Sequence, residues 1–160
     1  MSNASKPSAC LLRRSDLEAL PLTRFVHQHN SKAVRHTTCL TDPLGFRDMG
    51  VHLVHLEPGD ASSEHHFHEE DEEFVYILSG RAVAFIGGEE HEVGAGDFMA
   101  FPKGSPPHHM LNQSAADLVY LVGGTRSPID ICNYPRLGLR QYRIHGKREF
   151  VREEDLKRLS

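Results

Sequence analysis

Two histidines, His66 and His68, stand one residue apart in the run Glu64-His65-His66-Phe67-His68-Glu69-Glu70-Asp71-Glu72-Glu73. On a β-strand, side chains two positions apart point to the same face. The two imidazoles can therefore converge on one point, and Glu73 adds a carboxylate shortly after them. A further histidine in strand-like surroundings, His108, comes later in the chain. Three imidazoles and one carboxylate suit a first-row divalent ion: Fe, Mn, Ni, Zn, Co or Cu. At a six-coordinate ion these donors would leave two positions for water or a bidentate substrate. At zinc the same donors could instead close a structural tetrahedron.

The elements that must carry these residues read as short strands. Residues 51–56, 73–78, 81–86, 89–93, 97–101, 108–112 and 118–122 are strand-like, and most end at glycine or proline: Pro58-Gly59, Ser79-Gly80, Gly87-Gly88, Gly94-Ala95-Gly96, Pro102-Lys103-Gly104 and Gly123-Gly124. Strands at this spacing imply a sandwich or barrel, and Gly87-Gly88 suits a tight hairpin. Helical signals are few. Ser15-Asp16-Leu17-Glu18 has the form of a capping box, and Pro21 limits any helix there to a turn or two. Residues 150–159 could form a short helix or fray. One domain is expected overall, with 1–44 as an N-terminal arm or edge segment, 45–125 as the core barrel and 126–160 as a C-terminal wrapping segment.

The composition narrows the function classes. Of 160 residues, 39% are hydrophobic and 25% charged, as in ordinary globular proteins. The net charge is −4 without a long basic run, which argues against nucleic acid or an anionic membrane surface as partner. Cys10, Cys39 and Cys132 form no C-x-x-C pair, so a disulfide framework and a cysteine-rich zinc site are both disfavoured. No apolar run is long enough to span a bilayer, and the first residues lack the order of a signal peptide. The expectation is a cytoplasmic protein.

Two stretches resemble the paired motifs of the cupin superfamily. In the first, Gly59 precedes the His66-Phe67-His68 pair, four residues intervene before Glu73, and six more before Gly80. The step to Gly80 selects Glu73 over Glu72. Six residues separate Gly59 from His66 where five are usual, so His65 competes by spacing but has no partner at position 67. In the second, Gly96 is followed by Pro102-Lys103-Gly104, a histidine and Asn112; the three-residue step to Asn112 selects His108 over His109, although three residues rather than two precede it. The wording near Gly124-Thr125-Arg126-Ser127-Pro128 resembles small single-domain bacterial members.

The resemblance implies an all-β fold, a double-stranded β-helix (cupin jelly-roll barrel) with short peripheral helices. It implies one divalent transition metal held by His66, His68, Glu73 and His108, with Val75, Ile77 and Met110 supplying apolar wall. It further implies a homodimer and a small oxygen-rich ligand. Related activities are those of dioxygenases, decarboxylases and sugar or sugar-phosphate isomerases; the alternative is a non-catalytic ligand-binding or sensing module. A phosphosugar would need convergent Lys or Arg, for which Arg81 and Lys103 are candidate sources. No general base is identified. Glu69, Glu70, Asp71 and Glu72 read as an exposed polar turn, His65 and His109 as lying behind the metal-facing side, Asn112 as a turn-proximal asparagine, and Gly80, Gly96 and Gly104 as turn residues.

Overall fold

The computed structural model describes residues 10–159. One short helix, α1 (Arg14–Glu18), precedes thirteen strands: β1 (Thr23–His27), β2 (Asn30–Cys39), β3 (Met49–Leu56), β4 (Phe67–His68), β5 (Glu73–Ser79), β6 (Arg81–Ile86), β7 (Glu89–Gly94), β8 (Phe98–Phe101), β9 (His108–Leu111), β10 (Leu118–Thr125), β11 (Ile129–Tyr134), β12 (Leu139–Ile144) and β13 (Lys147–Arg152). The capping residue of α1 lies two positions before Ser15: the backbone N–H of Arg13 donates to the Asp16 carboxylate at 2.8 Å. The tail is not helical at Phe150, which lies in β13; a single 3₁₀ turn comes after it at Glu153–Asp155.

The strands make two facing layers. One sheet runs β1-β2-β3-β10-β5-β8. Two smaller groups, β13-β12-β11-β4 and β7-β6-β9, are joined by an antiparallel bridge between His66 and His108, with His108 N–H donating to the His66 carbonyl at 2.8 Å. The second layer is therefore nearly continuous, and the seam that closes it runs through two of the candidate ligands. The paired strands are antiparallel neighbours, which is the double-stranded β-helix, or jelly-roll, architecture.

Alternation sets the core. Val54 and Leu56 on β3, Val75 and Ile77 on β5, Met99 and Phe101 on β8, Met110 on β9, and Leu118 and Tyr120 on β10 point between the layers. Turn chemistry fixes the register. Ile86 pairs with Glu89 across Gly87-Gly88, with Gly87 at φ +61°. Gly80 sits at φ +86° between β5 and β6, where a Cβ would also strike the Asp117 carbonyl oxygen, so both conformation and space require glycine. Asn112 is fully buried and donates to the carbonyls of Leu56 and Ala116 at 2.8 and 2.9 Å, pinning the turn between β9 and β10 rather than reaching the site.

Candidate metal centre

Local structure brings the candidate ligands together. The bridge to β9 and the two-residue strand β4 hold His66 and His68 on one side of the second layer. His108 opens β9 and faces inward with Met110. Glu73 opens β5 in the opposite sheet, and its Cα partner on β10 is Gly124, which leaves room for its side chain. The ring of Phe101 stacks on His108 at 3.5 Å and 4°.

The four side chains meet head-on. His108 Nε2 lies 3.1 Å from Glu73 Oε2, His66 Nε2 lies 3.4 Å from the same oxygen, and His68 Nε2 lies 3.5 Å from Oε1. Neighbouring donors around an ion with bonds of about 2.1 Å stand about 3.0 Å apart in an octahedron and about 3.4 Å apart in a tetrahedron. The His108 and His66 separations fall in that range and the His68 separation, at 3.5 Å, lies just beyond it. His66, Glu73 and His108 offer ligand atoms all within 4.8 Å of one another, and His68 meets the carboxylate at its other oxygen.

The far side of each ring is occupied by an oxygen. His66 Nδ1 donates to the Glu64 carbonyl at 2.8 Å, His68 Nδ1 to Asp130 Oδ2 at 2.6 Å, and His108 Nδ1 to the Pro106 carbonyl at 3.2 Å. Carbonyl and carboxylate oxygens only accept, so each Nδ1 carries a hydrogen and each Nε2 is left as the free donor. Three Nε2 atoms thus aim at a carboxylate that also only accepts. Such a cluster requires protons on the rings or one shared cation, and oxygen acceptors behind ligating histidines are the usual support of a metal site. The donor set fits a divalent transition ion.

The electrostatics agree. Burial pushes the Glu73 carboxyl up, but hydrogen bonds from His108, His66 and His68 outweigh it and hold the group well below the usual range. Burial lowers His68, yet the carboxylates of Asp130 and Glu73 on its two nitrogens bring it up to about 10. Asp130 is 2% exposed; burial raises it, and His68 with the N–H groups of Asp71 and Glu70 holds it at about 2.

These donors line a cavity of about 290 Å³ that also contains Phe25, His27, Arg35, Val75, Met110, Val122, Cys132, Tyr134, Gln141, Arg143 and Arg148. Ile77 stays in the core behind it. The basic side chains in the cavity are not the two suggested by sequence. Arg81 lines a separate surface groove, and Lys103 pairs with Glu70 at 3.5 Å in an exposed position. Arg35 and Arg148 line the cavity without a carboxylate partner among the described residues, while Arg143 is tied to Asp71 at 2.6 Å. That pair corrects the reading of the acidic run. Glu69, Glu70 and Glu72 are exposed, but Asp71 is 4% exposed and accepts from Ser127 N–H and Arg143.

His65 and His109 meet behind the cavity, Nδ1 to Nδ1 at 2.9 Å, and His109 stacks on Phe85. Neither lines the cavity, and nor do His52 and His55. His27 does line it, although its sequence surroundings suggest no role. It packs edge-on against Tyr134, burial lowers it to about 4, and its Nδ1 accepts from the His29 N–H, so the neutral ring carries its hydrogen on Nε2. Asp130, Cys132 and Tyr134 alternate on β11 and all face inward. No sequence signal links them to the H-x-H pair, because the contact depends on β11 pairing with β4.

The model of the family described as Cupin domain matches residues 52–124. A crystal structure from Acidithiobacillus ferrooxidans, assigned provisionally as a sugar phosphate isomerase, is 35% identical; the match covers 94% of this chain and 96% of that one, with a TM-score of 0.90. A sugar phosphate isomerase from a cupin superfamily, from Silicibacter pomeroyi, is 32% identical over 88% of this chain and 92% of that one, with a TM-score of 0.79. A polyketide cyclase from Streptomyces resistomycificus shares the fold alone, at 20% identity, 72% and 80% coverage and a TM-score of 0.59. Among curated proteins none matches the chain.

Proposed function

The chain belongs to the cupin superfamily, and from that premise we propose that it is a metal-dependent isomerase of phosphorylated sugars. The observation that carries the reading is the convergence of three Nε2 atoms on Glu73, with every Nδ1 already committed to an oxygen. His66, His68, Glu73 and His108 would hold the ion. Bound there, a divalent ion acts as a Lewis acid on carbonyl and hydroxyl oxygens.

The remaining roles fall to the chain's own residues. Arg35 and Arg148 supply the cations that a phosphate needs, and a guanidinium can meet two phosphate oxygens at once. Neutral His27 offers a hydrogen from Nε2 to a sugar oxygen, and the Tyr134 hydroxyl, pushed up by burial, stays protonated as a second donor. Val75, Met110, Val122 and Phe101 exclude water from one wall. The similarity to two proteins described as sugar phosphate isomerases supports this substrate class over the decarboxylase and dioxygenase readings.

A homodimer belongs to the same proposal. Tyr76, Leu78 and Phe98 form an exposed apolar face on β5 and β8, where Tyr76 and Phe98 pair across the sheet, and a second copy would cover it. A cytoplasmic location is proposed with it; no helix among the described residues is long and apolar enough to cross a membrane.

The test is aldose–ketose interconversion followed by NMR, with the manganese- or zinc-loaded chain and a panel of sugars with and without phosphate. Turnover confined to phosphorylated sugars is expected, with KM raised about tenfold in Arg35→Ala. His68→Ala should lose both metal content and turnover. Metal binding without interconversion of any sugar phosphate would overturn the isomerase and leave a ligand-binding module.

A further inference from the structure

Cys132 takes no part in the proposed isomerisation. It lies on β11, is 3% exposed, and is the Cα partner of His68 across the sheet, so both side chains leave the layer toward the cavity. Ligand atoms of His66, His68 and Cys132 all lie within 4.8 Å of one another. So do those of His66, Glu73 and His108. His66 belongs to both groups. The cavity thus offers a hard carboxylate oxygen from β5 and a soft sulfur from β11, with the His66 imidazole common to both.

We propose that Cys132 is a metal-selecting donor: a thiophilic divalent ion such as zinc or cadmium is held by His66, His68 and the Cys132 thiolate, whereas a harder ion such as manganese is held by the carboxylate set. The proposal rests on His66 and His68 being metal ligands. Sulfur prefers the softer ions and carboxylate the harder ones, so one cavity with both donors sorts ions by softness. Both imidazoles already donate from Nδ1 to oxygens, which leaves Nε2 free on each. Donors of a tetrahedral zinc with bonds of about 2.1–2.3 Å stand about 3.5 Å apart, so no pair among these three donors, all within 4.8 Å of one another, has to close by more than about 1.3 Å. As the sulfur–metal bond forms, the S–H bond breaks and its proton leaves to solvent. The competing account is that Cys132 is a buried packing thiol.

The test titrates cobalt, cadmium and manganese into the metal-stripped full chain and into Cys132→Ser. Bound cobalt should show visible ligand-field bands together with a near-ultraviolet sulfur-to-cobalt charge-transfer band. In Cys132→Ser the visible bands should persist and the near-ultraviolet band should vanish. Cadmium affinity should fall at least about tenfold while manganese affinity changes less than about twofold. If serine perturbs folding, Cys132→Ala repeats the comparison, and the wild-type spectrum stands without either variant. Visible bands with no near-ultraviolet band in the wild type, or unchanged cadmium affinity in the variants, would overturn the proposal and leave the carboxylate site standing. Absence of any cobalt spectrum would overturn both.

Discussion

At the scale of single residues, the proposed metal centre would depend on groups that do not themselves ligate the ion. Asp130 accepts from three donors: His68 Nδ1 at 2.6 Å, and the N–H groups of Glu70 and Asp71, both at 3.1 Å. An asparagine has one accepting oxygen and one donating NH₂, so Asp130→Asn must turn a donor toward either the ring or the loop. Metal affinity should fall about 10–100-fold, as expected for loss of a carboxylate behind a ligating histidine. Competition against a chelating dye measures it, and an unchanged affinity would remove Asp130 from the site. Asp130 also shows the limit of reading the sequence. His66, His68 and Glu73 lie within one short stretch, and the resemblance of residues 96–112 to the second cupin motif adds His108 to them. Asp130 lies 62 residues from its partner. Its contact depends on which strand pairs with β4, a long-range choice that no local spacing encodes. Asp71 is hidden for the same reason: in an acidic run every carboxylate looks solvated until Arg143 and Ser127 arrive from distant strands.

Single elements explain how the ligands are aimed. On β10, Gly123 faces Phe74 and Gly124 faces Glu73. A Cβ at Gly123 would run into the Phe74 ring, and one at Gly124 would come within 3.3 Å of Glu73 Cγ. Gly123→Ala should therefore destabilise the chain by about 1–3 kcal/mol, the usual cost of overpacking. The midpoint of denaturant unfolding reads it, and a neutral result would mean that Phe74 swings outward at no cost. The strands that build this part are legible because β3, β5, β6, β7, β8, β9 and β10 are short strand-like runs that mostly stop at Gly or Pro turns. The last strands are not. β13 is exposed at all but one position, so it carries no inward period to detect, and β4 has only two residues. Tertiary pairing, not local pattern, makes these segments strands.

Across the whole molecule, a metal bound as proposed would compete with protons for one cluster, and this sets a pH dependence. In the chain without metal, His68 lies raised from 6.5 to about 10, held by Asp130 and Glu73. A raised group stabilises the fold fully below its unfolded value and loses that contribution as pH climbs through about 10. Asp130, lowered from 3.8 to about 2, works the other way: its contribution is present above 3.8 and lost as pH falls through about 2. Metal must replace the Nε2 proton of His68, so affinity should rise with pH, by about tenfold per unit while that proton is the one displaced. This competition alone widens the gap between the loaded and stripped chains as pH rises. At free metal about 100-fold above Kd the loaded chain gains about 2.7 kcal/mol, or about 5–10 °C in Tm for a domain of this size. At fixed metal, the Tm difference with and without chelator should grow steadily between about pH 6 and pH 9. Calorimetry in buffers of different ionisation enthalpy should find proton release on metal uptake near neutrality. A Tm difference that stays flat over this range, with no proton released, would mean that His68 is already neutral in the stripped chain. Its bond to Asp130 would then orient the ring without charging it.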